Sequence, residues 1–140
     1  MRYAAAVVGV VIVGCGGKPD PTQDFVNLLD GPGLQELWQE RMAELEARRP
    51  EGQFYQTWHG RQVLLTRASG RHATRHTAIF GGDVRTNAGV MCEFAEDLPP
   101  GGGWLGEVEA GTLGVQGEID LKGFPFGLVK CRLVAVPPDG

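Results

Sequence analysis

From Gln62 onward, the apolar residues of this chain fall into short runs that alternate with polar ones and stop at glycine or proline. A period of two places successive side chains on opposite faces of a strand, so these runs predict strands and not helices. Five are legible: Gln62 to Ala68, His76 to Phe80, Val90 to Phe94, Val108 to Ile119 and Leu128 to Val136. Val90, Cys92 and Phe94 share one face of the third. Val129, Cys131 and Leu133 share one face of the fifth, with Lys130 and Arg132 on the other. Gly111, Gly114 and Gly117 interrupt the fourth, and glycine within a strand permits the coiling a small closed sheet requires. Five such strands predict a mainly β fold, a small barrel or sandwich, over residues 54–137.

Residues 24–50 read differently. Residues 24–30 predict at most one helical turn, stopped by Gly31-Pro32-Gly33. From Leu34 to Arg48, Leu34, Leu37, Trp38, Met42 and Leu45 form one stripe of an amphipathic helix. Glu36, Glu40, Arg41, Glu44 and Arg48 are expected mostly to face water, and Pro50 closes the helix. A narrow stripe carrying Trp38 suits docking on the domain's own core better than docking on a partner.

The N-terminus bears on location. After Arg2, residues 4–14 are an unbroken run of Ala, Val, Gly and Ile. That run is far shorter than the roughly 20 residues needed to span a bilayer as a helix. It reads as a secretory signal over residues 1–14. Its ending, Ile12-Val13-Gly14-Cys15, resembles the lipobox of bacterial lipoproteins, in which the cysteine is acylated and becomes the mature N-terminus. The resemblance implies lipidation at Cys15, a lipid-anchored protein of the bacterial envelope facing the periplasm or exterior, and a flexible tether over residues 15–23. Losing Arg2 with the signal takes the formal charge from −4 to −5. An acidic chain argues against nucleic acid as a general partner, because sequence-independent affinity comes from basic residues neutralising phosphates.

With Cys15 consumed by lipid, Cys92 and Cys131 remain as an even pair in an oxidising compartment. They read as a disulfide, with two buried reduced thiols as the alternative. Closing a loop of about forty residues is worth roughly 4 kcal/mol on the chain-entropy account.

Three stretches resemble an exported OB-fold family, the tRNA-anticodon-binding-like proteins. His59-Gly60-Arg61-Gln62-Val63 is similar to the start of their first strand, and Val90-x-Cys92-x-Phe94 to their third. Gly111-x-x-x-Val115-x-Gly117-x-Ile119 with Leu128-x-x-Cys131-x-Leu133 is similar to their final hairpin. The likeness covers roughly residues 56–136 and implies an OB-fold, a five-stranded barrel, with no warrant for tRNA binding. The chain departs from the pattern where Pro99 to Trp104 stands in place of a short helix.

In that fold the loops joining strands one to two and four to five flank one binding face. Arg71 and Arg75 fall in the first loop, and Lys122, Phe124 and Phe126 in the second. If the loops converge, they offer charge and stacking to an envelope protein, glycan or other polyanion. The competing reading makes Phe124 and Phe126 plugs of the barrel's open end. His72 and His76 have the spacing of a zincin pair, but Ala73 stands where the general-base glutamate belongs, so no metal site is expected. No nucleophile is placed beside a base by any motif, and no cofactor pattern is present. The expected function is therefore a non-enzymatic binding module. The alternative is a structural accessory subunit assembling through the Leu34 to Arg48 helix.

Overall fold

The computed structural model describes residues 27–81 and 89–136. Cys15 and the residues expected to form a signal and a tether, 1–23, lie outside the described residues. The architecture is mixed α/β, with one seven-stranded sheet and helices packed against it. The strands are β1 (Asn27–Leu29), β2 (Gln62–Leu65), β3 (Gly70–His72), β4 (Thr77–Phe80), β5 (Val90–Phe94), β6 (Leu113–Asp120) and β7 (Gly127–Ala135). The helices are α1 (Gly31–Glu46), α2 (Gln53–Trp58) and α3 (Gly103–Ala110). No helix among the described residues is long and apolar enough to cross a membrane.

Spatial order across the sheet is β1-β2-β6-β7-β5-β4-β3. The β1–β2 and β5–β7 pairs are parallel, and the other ladders are antiparallel. In that order β2 and β3 stand five places apart, yet only residues 66–69 connect them. Five strand spacings in a flat sheet cover about 24 Å, beyond the roughly 17 Å that an extended Leu65-to-Gly70 segment can reach. The sheet must therefore curl sharply. The bend sits at Arg67, whose φ of 53° is left-handed. Its N–H donates to Val108 O at 2.7 Å and its carbonyl accepts from Gly31 N at 3.1 Å, while Thr66 Oγ1 donates to Leu113 O at 2.8 Å.

The expected five-stranded barrel is thus corrected. Seven strands form the sheet, and no ladder joins β3 to β1 or β2 among the described residues. The expected first strand, Gln62 to Ala68, ends at Leu65 as β2. β3 is an added strand in the segment expected to be the loop carrying Arg71, and a further added strand, β1, lies on the outside of β2.

Glycine plays a different part from the one expected at two places. Gly31-Pro32-Gly33 opens α1 instead of stopping a helix. Asp30 caps it by accepting from Gly33 N at 2.9 Å, and Pro32 occupies the first turn, where its missing N–H costs nothing. Residues 27–29 are strand, not a helical turn. Likewise Gly103 to Ala110 is helix, so α3 is present where Pro99 to Trp104 was expected to replace a helix, and the fourth expected strand begins at Leu113 instead of Val108. Trp104 and Val108 are buried beneath the sheet, and Gly111 ends α3 in the left-handed conformation (φ 93°).

One core unites the molecule. Leu29, Leu34 and Leu37 from the N-terminal segment join Val63, Phe80, Cys92, Val115, Ile119 and Leu128 from the sheet. Trp38 packs against the same cluster, half-buried. The remaining correction concerns Arg41 and Glu44, expected on the wet face of α1: their side chains are 2% and 8% exposed.

Candidate functional site

Register places four residues in one row across the outer face of the sheet. Arg71 of β3 stands opposite Ile79 of β4, Ile79 opposite Met91 of β5, and Met91 opposite Gly127 of β7. Their neighbours Ala78, Phe80, Cys92 and Leu128 belong to the core, so strand alternation turns this row away from it. The end of the row is occupied by Phe124, because a Cβ on Gly127 would fall 2.5 Å from Cδ2 of the Phe124 ring. Three strand spacings separate Arg71 from Gly127, about 14 Å. Arg71, Met91 and Phe124 are half-exposed, and Ile79 is covered. The face thus offers a guanidinium at one end, an aromatic ring at the other and a thioether between them.

The two loops expected to meet on one surface do not meet: they lie at opposite ends of β5, and the expected convergence of Arg71, Arg75, Lys122, Phe124 and Phe126 is corrected. The β3–β4 turn lies at the C-terminal end of β5, where Phe94 N donates to His76 O at 2.7 Å and Leu98 N to Arg75 O at 2.9 Å. The β6–β7 turn lies at the opposite end, where Met91 N donates to Phe126 O at 3.3 Å. Arg75 is exposed and ion-pairs with Asp97 at 3.7 Å, and His76 Nε2 approaches the same carboxylate at 3.0 Å. Lys122 is exposed in a turn held by Asp120, whose Oδ1 accepts from Lys122 N at 3.0 Å. Phe126 is 1% exposed and meets Phe54 edge-on at 5.8 Å, so it is core. Arg71 and Phe124 share the outer row. Arg75 and Lys122 mark its two flanks.

His72 and His76 serve different neighbours. His72 Nε2 lies 2.9 Å from Gly101 O and 3.1 Å from the Trp104 indole nitrogen, which donates to it, whereas His76 turns to Asp97.

Cys92 and Cys131 are brought side by side in the core as free, buried thiols. Burial, and after it the neighbouring Cys131 sulfur, pushes the Cys92 thiol well above its ordinary range. Beside Cys131 opens a cleft of about 490 Å³, walled by Phe94, Asp97 and Pro99 on one side and by Lys130, Arg132 and Leu133 on the other.

Two features escaped the sequence reading. Arg41 follows Leu34 and Leu37 at i+7 and i+4, so its place in the buried arc was legible from spacing alone; its charge argued the other way. Met91 was visible as the outward apolar residue of a strand whose other face is core, a signal for a surface contact. Compared with known proteins, the chain matches no family model, no curated protein and no solved structure.

Proposed function

We propose that this chain is a lipid-anchored bacterial envelope protein whose folded domain is a non-enzymatic binding module for an anionic envelope partner. The observation that carries the reading is the cross-sheet row, which sets Arg71 and Phe124 on one face with Met91 between them. A guanidinium supplies charge-assisted hydrogen bonds, and the exposed parts of a ring and a thioether supply sequence-tolerant apolar contact. The strand order supports an OB-type sheet if β2 and β3 are taken as two arms of one bent strand, with β5 parallel to β7 and α3 between β5 and β6. In such a sheet this row lies on the face that binds ligands.

The accessory-subunit reading is less favoured, because Leu34, Leu37 and Trp38 of the α1 stripe pack on the chain's own core. The lipid anchor rests on the Ile12-Val13-Gly14-Cys15 ending.

The test is capture of envelope components by the lipidated protein, compared with Arg71→Glu and Phe124→Ala. Loss of the same captured component in both variants, with unchanged melting temperatures, supports the face. Full retention in both variants overturns it.

A further inference from the structure

The cleft between the Phe94–Pro99 segment and the Lys130–Leu133 stretch of β7 belongs to neither the binding face nor the helices. Its notable feature is that Cys131 lines it and Cys92 does not. The backbone is built around these sulfurs. Cys92 stands opposite Leu128 and Phe94 opposite Cys131, with a register shift between the two pairs. The extra residue is taken up at Lys130, whose φ of 56° is left-handed. Such a bulge re-aims the side chain that follows it. Across the sheet, Gly117 leaves the space Cys131 needs, because a Cβ there would fall 2.7 Å from Cys131 Sγ. Cys92 is therefore sealed in the core at 0% exposure, and its neighbour Cys131, at 2%, is the cysteine that lines the cleft.

We propose that Cys92 and Cys131 form a redox-closable pair with a fixed order of reaction, in which Cys131 exchanges with an external disulfide through the cleft and Cys92 resolves it. In the first step the Cys131 thiolate, its proton lost to water, attacks one sulfur of a small or protein disulfide. A mixed disulfide forms at Cys131, and one thiolate leaves and takes up a proton. In the second step Cys92 Sγ loses its proton and attacks Cys131 Sγ, forming the Cys92–Cys131 bond and expelling the second thiolate. Two protein thiols are oxidised by two electrons, and the external disulfide is reduced to two thiols.

Lys130 and Arg132 stand on one wall of the opening and Glu96 and Asp97 on the other, so the charges balance and the cleft selects for a disulfide small enough to enter it, such as oxidised glutathione. The raised Cys92 thiol agrees with its being the later reactant. The proposal concerns the folded protein's own thiols, so its failure would leave the binding face and the lipid anchor untouched.

The experiment uses the folded full chain carrying Cys15→Ser, so that only these two thiols remain, exposed to oxidised glutathione and followed by intact mass. The parent should lose two thiols and retain no glutathione. Cys92→Ser should trap one glutathione on Cys131, about tenfold or more faster than Cys131→Ser gains one on Cys92. Rapid acid quenching of the partly oxidised parent, followed by peptide mapping, checks the order without relying on either variant's folding. Transient glutathione should then be found on Cys131. Glutathione first on Cys92, equal rates at both sites, or two thiols that stay free in the parent would each overturn the proposal.

Discussion

Arg41 Nη1 lies 2.6 Å from Glu44 Oε1, one turn along α1, with both side chains sealed from solvent. The guanidinium also donates to Pro125 O at 2.8 Å, Pro50 O at 2.8 Å and Leu121 O at 2.9 Å. Glu44 spends its second oxygen on Phe54 N at 2.8 Å. One ion pair therefore fastens α1 to the start of α2 and to the β6–β7 turn that carries Phe124. Removing one partner of a buried pair costs about 3–5 kcal/mol, because the other charge is left without compensation. Arg41→Ala is expected to fall in that range in urea denaturation. Arg41→Lys should lose much of the same, since one ammonium cannot reach three carbonyls and a carboxylate in the guanidinium's planar arrangement.

Gly117→Ala tests the space around Cys131. The new methyl would meet a sulfur at 2.7 Å and the Val129 carbonyl at 3.3 Å, the latter fixed in the ladder. Overpacking of this kind costs about 1–3 kcal/mol, to be seen as a lowered melting temperature. A thermal transition unchanged from the parent would show that the sheet absorbs the methyl.

The reduced protein should lose stability in alkali. Burial raises the folded-state ionisation of Cys92, so the unfolded thiol ionises first. Above about pH 8.5 the unfolded state then holds fewer protons than the native one, and stability falls by up to about 1.4 kcal/mol per pH unit until the native thiol also ionises. Below that pH this group contributes no slope. Urea midpoints across the range should show the decline in reduced parent and a shallower one in Cys92→Ala.

Two phenylalanines from one turn should separate binding from folding. Phe126→Ala empties a core site and is expected to cost about 3–5 kcal/mol. Phe124→Ala uncovers Gly127 on the outer face and should lower partner capture far more than it lowers the melting temperature. Arg71→Glu should weaken capture most at low salt, where screening is least. Lys122→Glu, at the Phe124 end of the row, should act in the same direction and less strongly.

Anchoring is tested at the N-terminus. Cys15→Ser should yield an uncleaved precursor or a protein released from the membrane fraction, and fractionation with precursor-sized blotting reads both. Normal processing with unchanged membrane retention would sink the lipoprotein reading.

Much of the interior was legible. Val90, Cys92 and Phe94 were placed on one face by alternation, and all are core; Leu34 and Leu37 were placed on the buried stripe of their helix, and both are fully buried. The failures fall where local chemistry is ambiguous. Glycine and proline open helices as well as ending them, and only the Asp30 cap beside Gly33 distinguishes the first turn of α1 from a break. At α3 the cap position is Gly102, with no side-chain cap to announce it, and the helix is held by the burial of Trp104 and Val108.

Periodicity along the chain thus determined which side chains face inward and where most elements lie, because one-sided burial leaves its period in the sequence. It carried no information about which strand neighbours which, since strand pairing is set by contacts between distant residues. Only the tertiary structure decided that Arg71 and Phe124 end one row while Arg75 and Lys122 stand on its two flanks, at opposite ends of the strands. It also decided the fate of Arg41. A guanidinium is buried when enough acceptors converge on it, and Leu121 and Pro125 come from positions 80 and 84 residues away, brought there by the fold alone.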